Sequence, residues 1–396
     1  MLSKRAASLK PSPTLAISAK EKALKAQGID IAGFGAGEPD FDTPAHIKEA
    51  AVKAINDNFT RYTPVAGIDP LKDAIIEKFK RDNDLTYKRE EILVSCGGKH
   101  SLYNLFQVLF QEGDEVIVPA PFWVSYPPMI ELAGAKPVIM QTREEDDYQV
   151  TEEILKKHLT PKTKAVILNY PSNPVGSVFY RENLEAIGRL AVEHDFFIVS
   201  DEIYEKLVYD DYKHISIASM DNVFRERTII CHGVSKTYAM TGWRIGYSAG
   251  PAGIIKAMGN IQSQSTSNPT SISQMAALTA LTGNQDFIST MVAEFKRRKD
   301  FLVKSLRAID GVTCYDPKGA FYVFPNFSSV MGKKHKNRVI DTSTVLTELL
   351  LDEFHTAVVP GVEFGKEGYL RLSFATSMDI IEKGIDRIKK AVAELT

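Results

Sequence analysis

The 396-residue sequence predicts an α/β protein built around a mostly parallel sheet. From about residue 90 onward, short apolar runs alternate with amphipathic helical stretches. The runs are continuous rather than alternating, which is typical of strands that helices cover on both faces. At this length, with 44% hydrophobic residues, the chain exceeds one ordinary core. We therefore expect two domains.

The runs that predict strands of the main sheet follow one another in the first two thirds of the chain. They cover residues 91–95, 115–118, 165–168, 196–200 and 228–231. A helical pattern over 101–110 separates the first two. Because parallel neighbours need crossover connections, the alternation predicts helices between the strands and on both faces of the sheet.

A change of pattern after about residue 285 predicts a smaller second domain. It begins with apolar residues at helical spacing, namely Met291, Phe295, Leu302 and Leu306. Apolar runs at 320–324 and 369–374 predict strands, and a helix is expected from residue 379. We predict a large domain over residues 45–285. The small domain would combine residues 286–396 with an N-terminal arm, residues 1–44.

Composition indicates which classes of partner the chain can have. Forty-eight basic against 50 acidic residues give a net charge of −2, which favours neither nucleic acid nor a membrane surface. Three scattered cysteines without a CxxC pair predict reduced thiols in the cytoplasm and no zinc site. The sequence contains no run of ~18 apolar residues, so it predicts no transmembrane helix. The basic first twenty residues faintly resemble a transit peptide but lack the apolar core of a secretion signal, and we expect them to form an N-terminal arm. A small-molecule ligand is the expected partner.

Lys236 is the candidate reactive residue. The segment 232–246 surrounds it with small, hydroxyl-bearing and aromatic residues instead of other charges. A lysine partly removed from water has a lowered pKa and becomes a nucleophile and a base. This is the state that imine chemistry requires.

Two features at predicted strand ends are candidate ligand contacts. The Gly97-Gly98 turn precedes a helix, and is either an anion cradle of free N–H groups or a tight connection. Asp201 ends a buried strand, at the edge where open α/β sheets bind ligands. It could be the magnesium ligand of an ATPase, but the sequence lacks a GxxxxGK[ST] loop. An acid in this place suits a cation such as a protonated ring nitrogen.

Four further side chains have two interpretations each. Arg371 alternates with leucines in an apolar strand and faces either solvent or a pocket, where it would clamp a carboxylate. Arg244 poses the same choice. Trp123 and Tyr204 either pack or contact a ligand.

Taken together, these residues resemble the class I, aspartate-type aminotransferases of the fold-type I pyridoxal-phosphate enzymes, in the bacterial aspartate/prephenate branch. The resemblance extends over nearly the whole chain. Its motifs are residues 10–14, 35–44, 61–67, 169–176, 200–204, 235–236 and 370–373. The ordered set implies the fold of that family, which has a large cofactor domain and a smaller α/β domain.

The resemblance implies pyridoxal 5'-phosphate as cofactor and assigns residues to it. Lys236 resembles the lysine that binds the cofactor covalently, and Asp201 the acid that keeps its pyridine nitrogen protonated. Asn173 and Tyr204 resemble the pair that hydrogen-bonds the phenolic oxygen. Trp123 resembles the aromatic residue that stacks on the ring.

The resemblance also implies a phosphate site and a homodimer. The phosphate contacts would come from Gly98, the backbone of Lys99, Ser235 and Arg244. Tyr62 would reach the phosphate from the neighbouring subunit, so that each active site is completed across the interface. Gly233 stands where some relatives carry a second phosphate-binding serine, and one contact is therefore expected to be missing.

For the substrate, the resemblance implies a clamp on each carboxylate. Arg371 would bind the α-carboxylate, assisted by Gly37 and Asn173. Lys99 and Thr14 would recognise a distal carboxylate, with Trp123 nearby. The expected reaction is ping-pong amino transfer between L-aspartate or glutamate and 2-oxoglutarate or oxaloacetate.

Other functions on the same scaffold stay open from the sequence. Prephenate or aromatic amino acids are alternative substrates. Cleavage of a carbon–sulfur bond, or cyclopropane formation from an S-adenosyl substrate, would use the same Lys236 and Asp201. A regulatory cofactor-binding protein is disfavoured, because the chain has no room for the usual DNA-binding domain.

Overall fold

The computed structural model describes residues 2–3, 6–7, 9 and 13–396, with the backbone alone for residues 13–16 and 18. The strands in chain order are β1 (Ala32–Gly33), β2 (Ile92–Ser95), β3 (Glu115–Ala120), β4 (Lys136–Gln141), β5 (Thr163–Asn169), β6 (Phe197–Asp201), β7 (Thr228–Gly233), β8 (Gly246–Ala249), β9 (Tyr322–Val323), β10 (Lys334–His335), β11 (Arg338–Val339), β12 (Thr356–Ala357), β13 (Val359–Pro360) and β14 (Leu370–Ser373).

The helices connect and cover these strands. In chain order they are α1 (Pro13–Ala26), α2 (Ala45–Asn56), α3 (Asp69–Asn83), α4 (Gly98–Leu109), α5 (Tyr126–Leu132), α6 (Glu152–His158), α7 (Arg181–Glu193), α8 (Asn222–Arg225), α9 (Ala252–Ser263), α10 (Ser271–Thr282), α11 (Asp286–Arg307), α12 (Ser343–Asp352) and α13 (Met378–Ala393). Within the described residues, no helix is both long and apolar enough to cross a membrane.

The main sheet confirms the predicted fold class. Among the described residues it has seven strands, in the order β2-β8-β7-β6-β5-β3-β4. All of its pairings are parallel except those of β8 with β2 and β7. All five predicted strands belong to it. β4 and β8 were not predicted, because β4 is a partly exposed edge strand and β8 contains glycine and serine.

Helices cover both faces of this sheet, as the continuous apolar runs predicted. Successive strand residues therefore pack into different clusters. In β2, Leu93 packs with residues of α4 and α9, whereas Ile92 and Val94 pack with α2, α3 and α10. In β3, Ile117 packs with α6 and α7. The sheet is thus buried on both sides, and polar side chains concentrate at the strand ends.

A second apolar core lies in the C-terminal part of the chain. The four residues predicted at helical spacing all lie on α11 and are buried in it, together with α12, α13 and Phe34. The strands β13, β14 and β9 form an antiparallel sheet there, and β1 pairs with β12 in parallel. The domain boundaries at residues 44/45 and 285/286 stay a prediction.

The topology places the loops that follow several strands at one edge of the main sheet. Because β5, β6 and β7 run parallel and adjacent, their carboxyl ends lie side by side. Asn173, Tyr204 and Lys236 each follow one of these ends within a few residues. β14 and β9 of the second core contribute residues to the same place.

Candidate active site

A cavity of about 680 Å³ lies at the carboxyl edge of the main sheet, where residues of β9 and β14 also line it. It brings together most of the predicted site residues: Gly37, Gly98, Lys99, Trp123, Asn173, Asp201, Tyr204, Ser235, Lys236, Arg244 and Arg371. A cavity of this size holds a cofactor and a small substrate together.

Two predicted residues, Tyr62 and Thr14, are not among the described side chains of this cavity wall. Tyr62 lies outside it, with 91% of its surface exposed. Thr14 lies on α1, but its side chain is outside the described residues. Other residues of α1, including Lys22 and Lys25, line the cavity from the arm.

Lys236 lies half-buried in the cavity wall and donates a hydrogen bond to the carbonyl of Gly37. Burial lowers the pKa of Lys236 to about 8, against the opposing carboxylate of Glu38. The cations of Arg371 and Arg244 lower it further. The neutral amine is therefore far more populated than in a solvated lysine, as predicted for a nucleophile and base.

Asp201 is buried at the end of β6. It accepts hydrogen bonds from Tyr126 Oη at 2.6 Å and from the N–H of Ile203 at 3.3 Å. Burial raises the pKa of Asp201 to about 6, although both hydrogen bonds act to lower it. A cation placed in the cavity beside this carboxyl would favour its ionised form. The site therefore suits a protonated ring nitrogen.

An anion cradle forms where β2 passes into α4. Gly97 has φ +97°, and a Cβ there would lie 2.2 Å from Arg244 Nη2, so the close approach requires glycine. The N–H groups of Gly98 and Lys99 lie in the first helical turn, where the helix offers them no acceptor. Ser235 and Arg244 line the same cavity. Such a set of donors is suited to a phosphate group.

Arg371 faces the pocket rather than solvent, which decides between its two interpretations. It is 3% exposed on β14, and its Nη2 donates to the carbonyl of Gly35 at 2.9 Å. Its Nη1 donates to Asn173 Oδ1 at 3.4 Å. Among the described residues, its Nε has no hydrogen-bond partner. A buried guanidinium with an unused donor is suited to a carboxylate ligand.

Aromatic side chains and a second cation occupy another part of the cavity wall. Lys99 Nζ lies 4.8 Å from the centroid of the Trp123 ring. Burial lowers the pKa of Lys99, and the charge of Arg244 adds to this. Trp123 also meets Tyr126 edge to face, with centroids 5.3 Å apart. Lys99 thus supplies a positive charge next to an aromatic surface.

Several residues of the site were not predicted from the sequence. Tyr126 contacts Asp201, and Tyr322 contacts both Tyr204 and Arg371. Glu38 accepts a 2.6 Å hydrogen bond from Thr241 Oγ1. The place of Tyr126 in the sequence, three residues after Trp123 at the start of a helix, was only a weak indication that it belongs to the site. Tyr322 lies in an apolar run that looked purely structural.

A buried ionic network adjoins the cavity through His232, which lines the cavity and contacts Glu205. Lys78 forms an ion pair with Glu205, and His232 Nε2 lies 3.3 Å from the same carboxylate. Glu202 accepts from Ser216 and contacts His214 Nε2 at 2.9 Å. Although burial raises the pKa of Glu205, Lys78 and His232 hold it well below its ordinary value. Both acids therefore have protein partners.

Comparison with known proteins shows extensive similarity. The family model for aminotransferase class I and II matches residues 29–388. Aspartate aminotransferase from Bacillus subtilis (strain 168) is 49% identical over 394 residues, covering 99% of this chain and 98% of that protein. A probable aspartate/prephenate aminotransferase from Rickettsia felis is 47% identical, covering 100% of this chain and 97% of that protein.

Solved structures give the same picture. The aspartate aminotransferase from Rhizobium meliloti has a TM-score of 0.95 at 42% identity and 100% coverage of both chains. The aspartate aminotransferase from Thermus thermophilus with maleate has a TM-score of 0.93 at 44% identity, covering 98% of this chain and 99% of that one.

Proposed function

Because the chain belongs to the class I and II aminotransferases, we propose that it exchanges amino groups between L-aspartate or glutamate and 2-oxoglutarate or oxaloacetate. One observation carries this proposal. A lysine with a pKa of about 8 shares a cavity with a buried carboxylate, an anion cradle and two cations for substrate carboxylates. Each part has a role in moving an amino group between two dicarboxylic acids.

Pyridoxal 5'-phosphate is the cofactor of this family, and the residues present fit it. Lys236 would hold its carbonyl carbon and Asp201 its ring nitrogen. The phosphate would bind at Gly98, Lys99, Ser235 and Arg244. Asn173 and Tyr204 would hold the phenolic oxygen, with Trp123 against the ring. When bound, the cofactor supplies an electron sink for the charge left at the substrate Cα.

The chain's own residues then divide the work. Arg371 orients the substrate through its α-carboxylate, so that the Cα–H bond faces Lys236. Lys236 Nζ holds the α-proton between its removal and its return. Asp201, kept in place by Tyr126, holds a negative charge against the ring nitrogen. Because base and substrate have a fixed geometry, proximity alone can supply ~7 kcal/mol or more.

Preference for an acidic side chain would come from the second cation. Lys99 lies in the same cavity as Arg371, and the resemblance gives it the distal carboxylate together with Thr14. An acidic side chain pairs with this cation and a neutral one does not, so Lys99 favours acidic substrates over neutral ones. Prephenate is the second candidate, since the Rickettsia felis relative is named for both substrates and prephenate carries a second carboxylate.

We also propose a homodimer in which Tyr62 completes the neighbouring site. Three exposed apolar side chains support it: Tyr62 at 91% exposure, and Val52 and Ile55 of α2 at 55% and 51%. Val52 and Ile55 are three residues apart on α2 and therefore share one face of that helix, and an exposed apolar face suits an interface.

The compartment proposed for the enzyme is a reducing one, namely the cytoplasm. The support is that Cys96, Cys231 and Cys314 are all free thiols. Disulfides would be expected of scattered cysteines mainly in oxidising compartments.

The test is a visible spectrum of the purified chain with pyridoxal phosphate, recorded before and after aspartate is added alone. Conversion of the visible band to the shorter-wavelength amine form, with equimolar oxaloacetate, supports the proposal. The same experiment with alanine is the matched control for the distal carboxylate. Absence of any cofactor band would refute the proposal. Release of a thiol, pyruvate and ammonia from a cysteine S-conjugate, supplied in place of aspartate, would identify the lyase alternative.

A further inference from the structure

Tyr322 connects two residues that the proposed function assigns to different ligands. It lies on β9, fully buried, opposite Ser373 of the neighbouring strand β14. Its Oη is 3.1 Å from Tyr204 Oη. Its ring centroid is 4.7 Å from the guanidinium carbon of Arg371. One side chain therefore contacts both Tyr204 and Arg371.

When Tyr204 donates a hydrogen bond to a ligand, it is settled which of the two tyrosine hydroxyls donates to the other. Among the described residues, Tyr204 Oη is the only hydrogen-bond partner of Tyr322 Oη. Each hydroxyl carries one proton, so when Tyr204 donates into the cavity, its oxygen must accept from Tyr322. A hydroxyl that accepts a hydrogen bond donates more strongly to its own partner. Tyr322 thereby strengthens whatever bond Tyr204 makes.

The ring contact acts on Arg371. Two aromatic rings lie near its guanidinium, Tyr322 at 4.7 Å and Phe364 at 5.2 Å. Hydrogen bonds to Gly35 and Asn173 use Nη2 and Nη1. Aromatic faces hold a guanidinium in a plane and attract its charge. Tyr322 thus helps to fix the direction in which the unused Nε donor points.

We propose that Tyr322 is a positioning residue, whose hydroxyl orients and polarises Tyr204 and whose ring holds Arg371. This inference rests on the proposed function, in which Tyr204 donates to the cofactor's phenolic oxygen and Arg371 binds the substrate α-carboxylate. Its two contacts are chemically separable. Phenylalanine at this position keeps the ring and removes the hydroxyl, whereas leucine removes both.

Neither variant replaces a charged residue near the two hydroxyls. Asp201 of β6 and Arg371 of β14 face Tyr204, and Glu38 and Arg371 face Tyr322. Burial raises the pKa of both Tyr204 and Tyr322 above the ordinary value. Both hydroxyls therefore keep their protons at working pH. Tyr322→Phe removes a hydrogen-bond donor and changes no charge.

The experiment titrates the visible band of the pyridoxal-phosphate holoenzyme against pH. A hydrogen bond from Tyr204 favours the anion of the phenolic oxygen, so weakening that bond raises the titration midpoint. We expect Tyr322→Phe to raise the midpoint by about half a pH unit, roughly a threefold change in the proton equilibrium. In a Tyr204→Phe background, the same substitution should leave the titration midpoint unchanged, because the Tyr204 hydroxyl through which Tyr322 acts is absent.

Steady-state kinetics test the ring. Tyr322→Phe should leave KM for aspartate and 2-oxoglutarate within twofold of the unsubstituted enzyme. Tyr322→Leu should share the midpoint shift and raise both KM values about tenfold, since Arg371 loses one of its aromatic supports.

Each arm has its own refutation. An unshifted midpoint in Tyr322→Phe, alongside a shifted one in Tyr204→Phe, overturns the hydroxyl role. Equal KM values in Tyr322→Leu and Tyr322→Phe overturn the ring role. An unsubstituted chain that shows no band with pyridoxal phosphate overturns the proposed function itself, and this inference falls with it.

Discussion

Replacing Lys78 with methionine tests how strongly the buried network beside the cavity depends on its one lysine–glutamate pair. Lys78 is 2% exposed on α3, and its Nζ contacts Glu205 and donates to Asn83 Oδ1 at 2.9 Å. Asn83 Nδ2 donates to Glu205 at 3.0 Å. Methionine keeps most of the apolar stem but removes the ammonium group, and the remaining neighbours of the Glu205 carboxylate include Asn83, His232 and the Glu202–His214 pair.

The magnitude follows from burial. Breaking a buried ion pair by removing one partner lowers the free energy of unfolding by ~3–5 kcal/mol, because the remaining charge is uncompensated. Lys78 contributes to the lowered pKa of Glu205, so its loss raises that pKa. The penalty should therefore shrink as the pH falls and Glu205 takes up a proton. Lys78→Met/Glu205→Gln removes both charges and should recover most of the loss.

Urea unfolding of the cofactor-free chain, at one protein concentration for all variants, measures these differences. Lys157→Met is the matched control, because Lys157 and its partner Glu153 on α6 are exposed, and we expect no change in its midpoint. The reasoning is refuted if Lys78→Met unfolds at the same urea concentration as the unsubstituted chain. It is equally refuted if the double variant is no more stable than the single one.

Three further predictions concern the cavity. Burial lowers the pKa of Lys236 to about 8, and only the neutral amine attacks, so the rate at which the cofactor-free chain takes up pyridoxal phosphate should rise with pH and level off above that value. Stopped-flow absorbance measures this rate, with Lys236→Ala as the blank. A rate that does not change from pH 7 to 9 would contradict the prediction. Asp201→Asn should retain the covalent cofactor but lose at least ~10²-fold in kcat, since the ring nitrogen loses its charged partner; single-turnover kinetics with unchanged rates would exclude this role. Gly97→Ala should weaken cofactor retention, because its Cβ would lie 2.2 Å from Arg244 Nη2, whereas Gly253→Ala, which meets no atom within 4 Å, should retain cofactor normally on dialysis.

Much of the site could be predicted because its residues follow local signals. The ends of buried strands are visible as breaks in apolar runs, so Asp201 and the turn before α4 could be placed at the ligand edge. The direction of Arg371 could not, since a strand has two faces and only the covering elements decide which is a pocket. Here Gly35, Tyr322 and Phe364 surround the guanidinium and enclose it.

By itself, the sequence determined the α/β class and the strands that carry the site, and it predicted Lys236 as the reactive amine, because these depend on neighbours within a few residues. Only the tertiary structure decided which distant side chains meet. Tyr126 on Asp201, Tyr322 between Tyr204 and Arg371, and Lys78 on Glu205 all join segments far apart in the chain. Such pairs arise from how helices and strands pack, and burial then gives each contact its energy by removing the competing water.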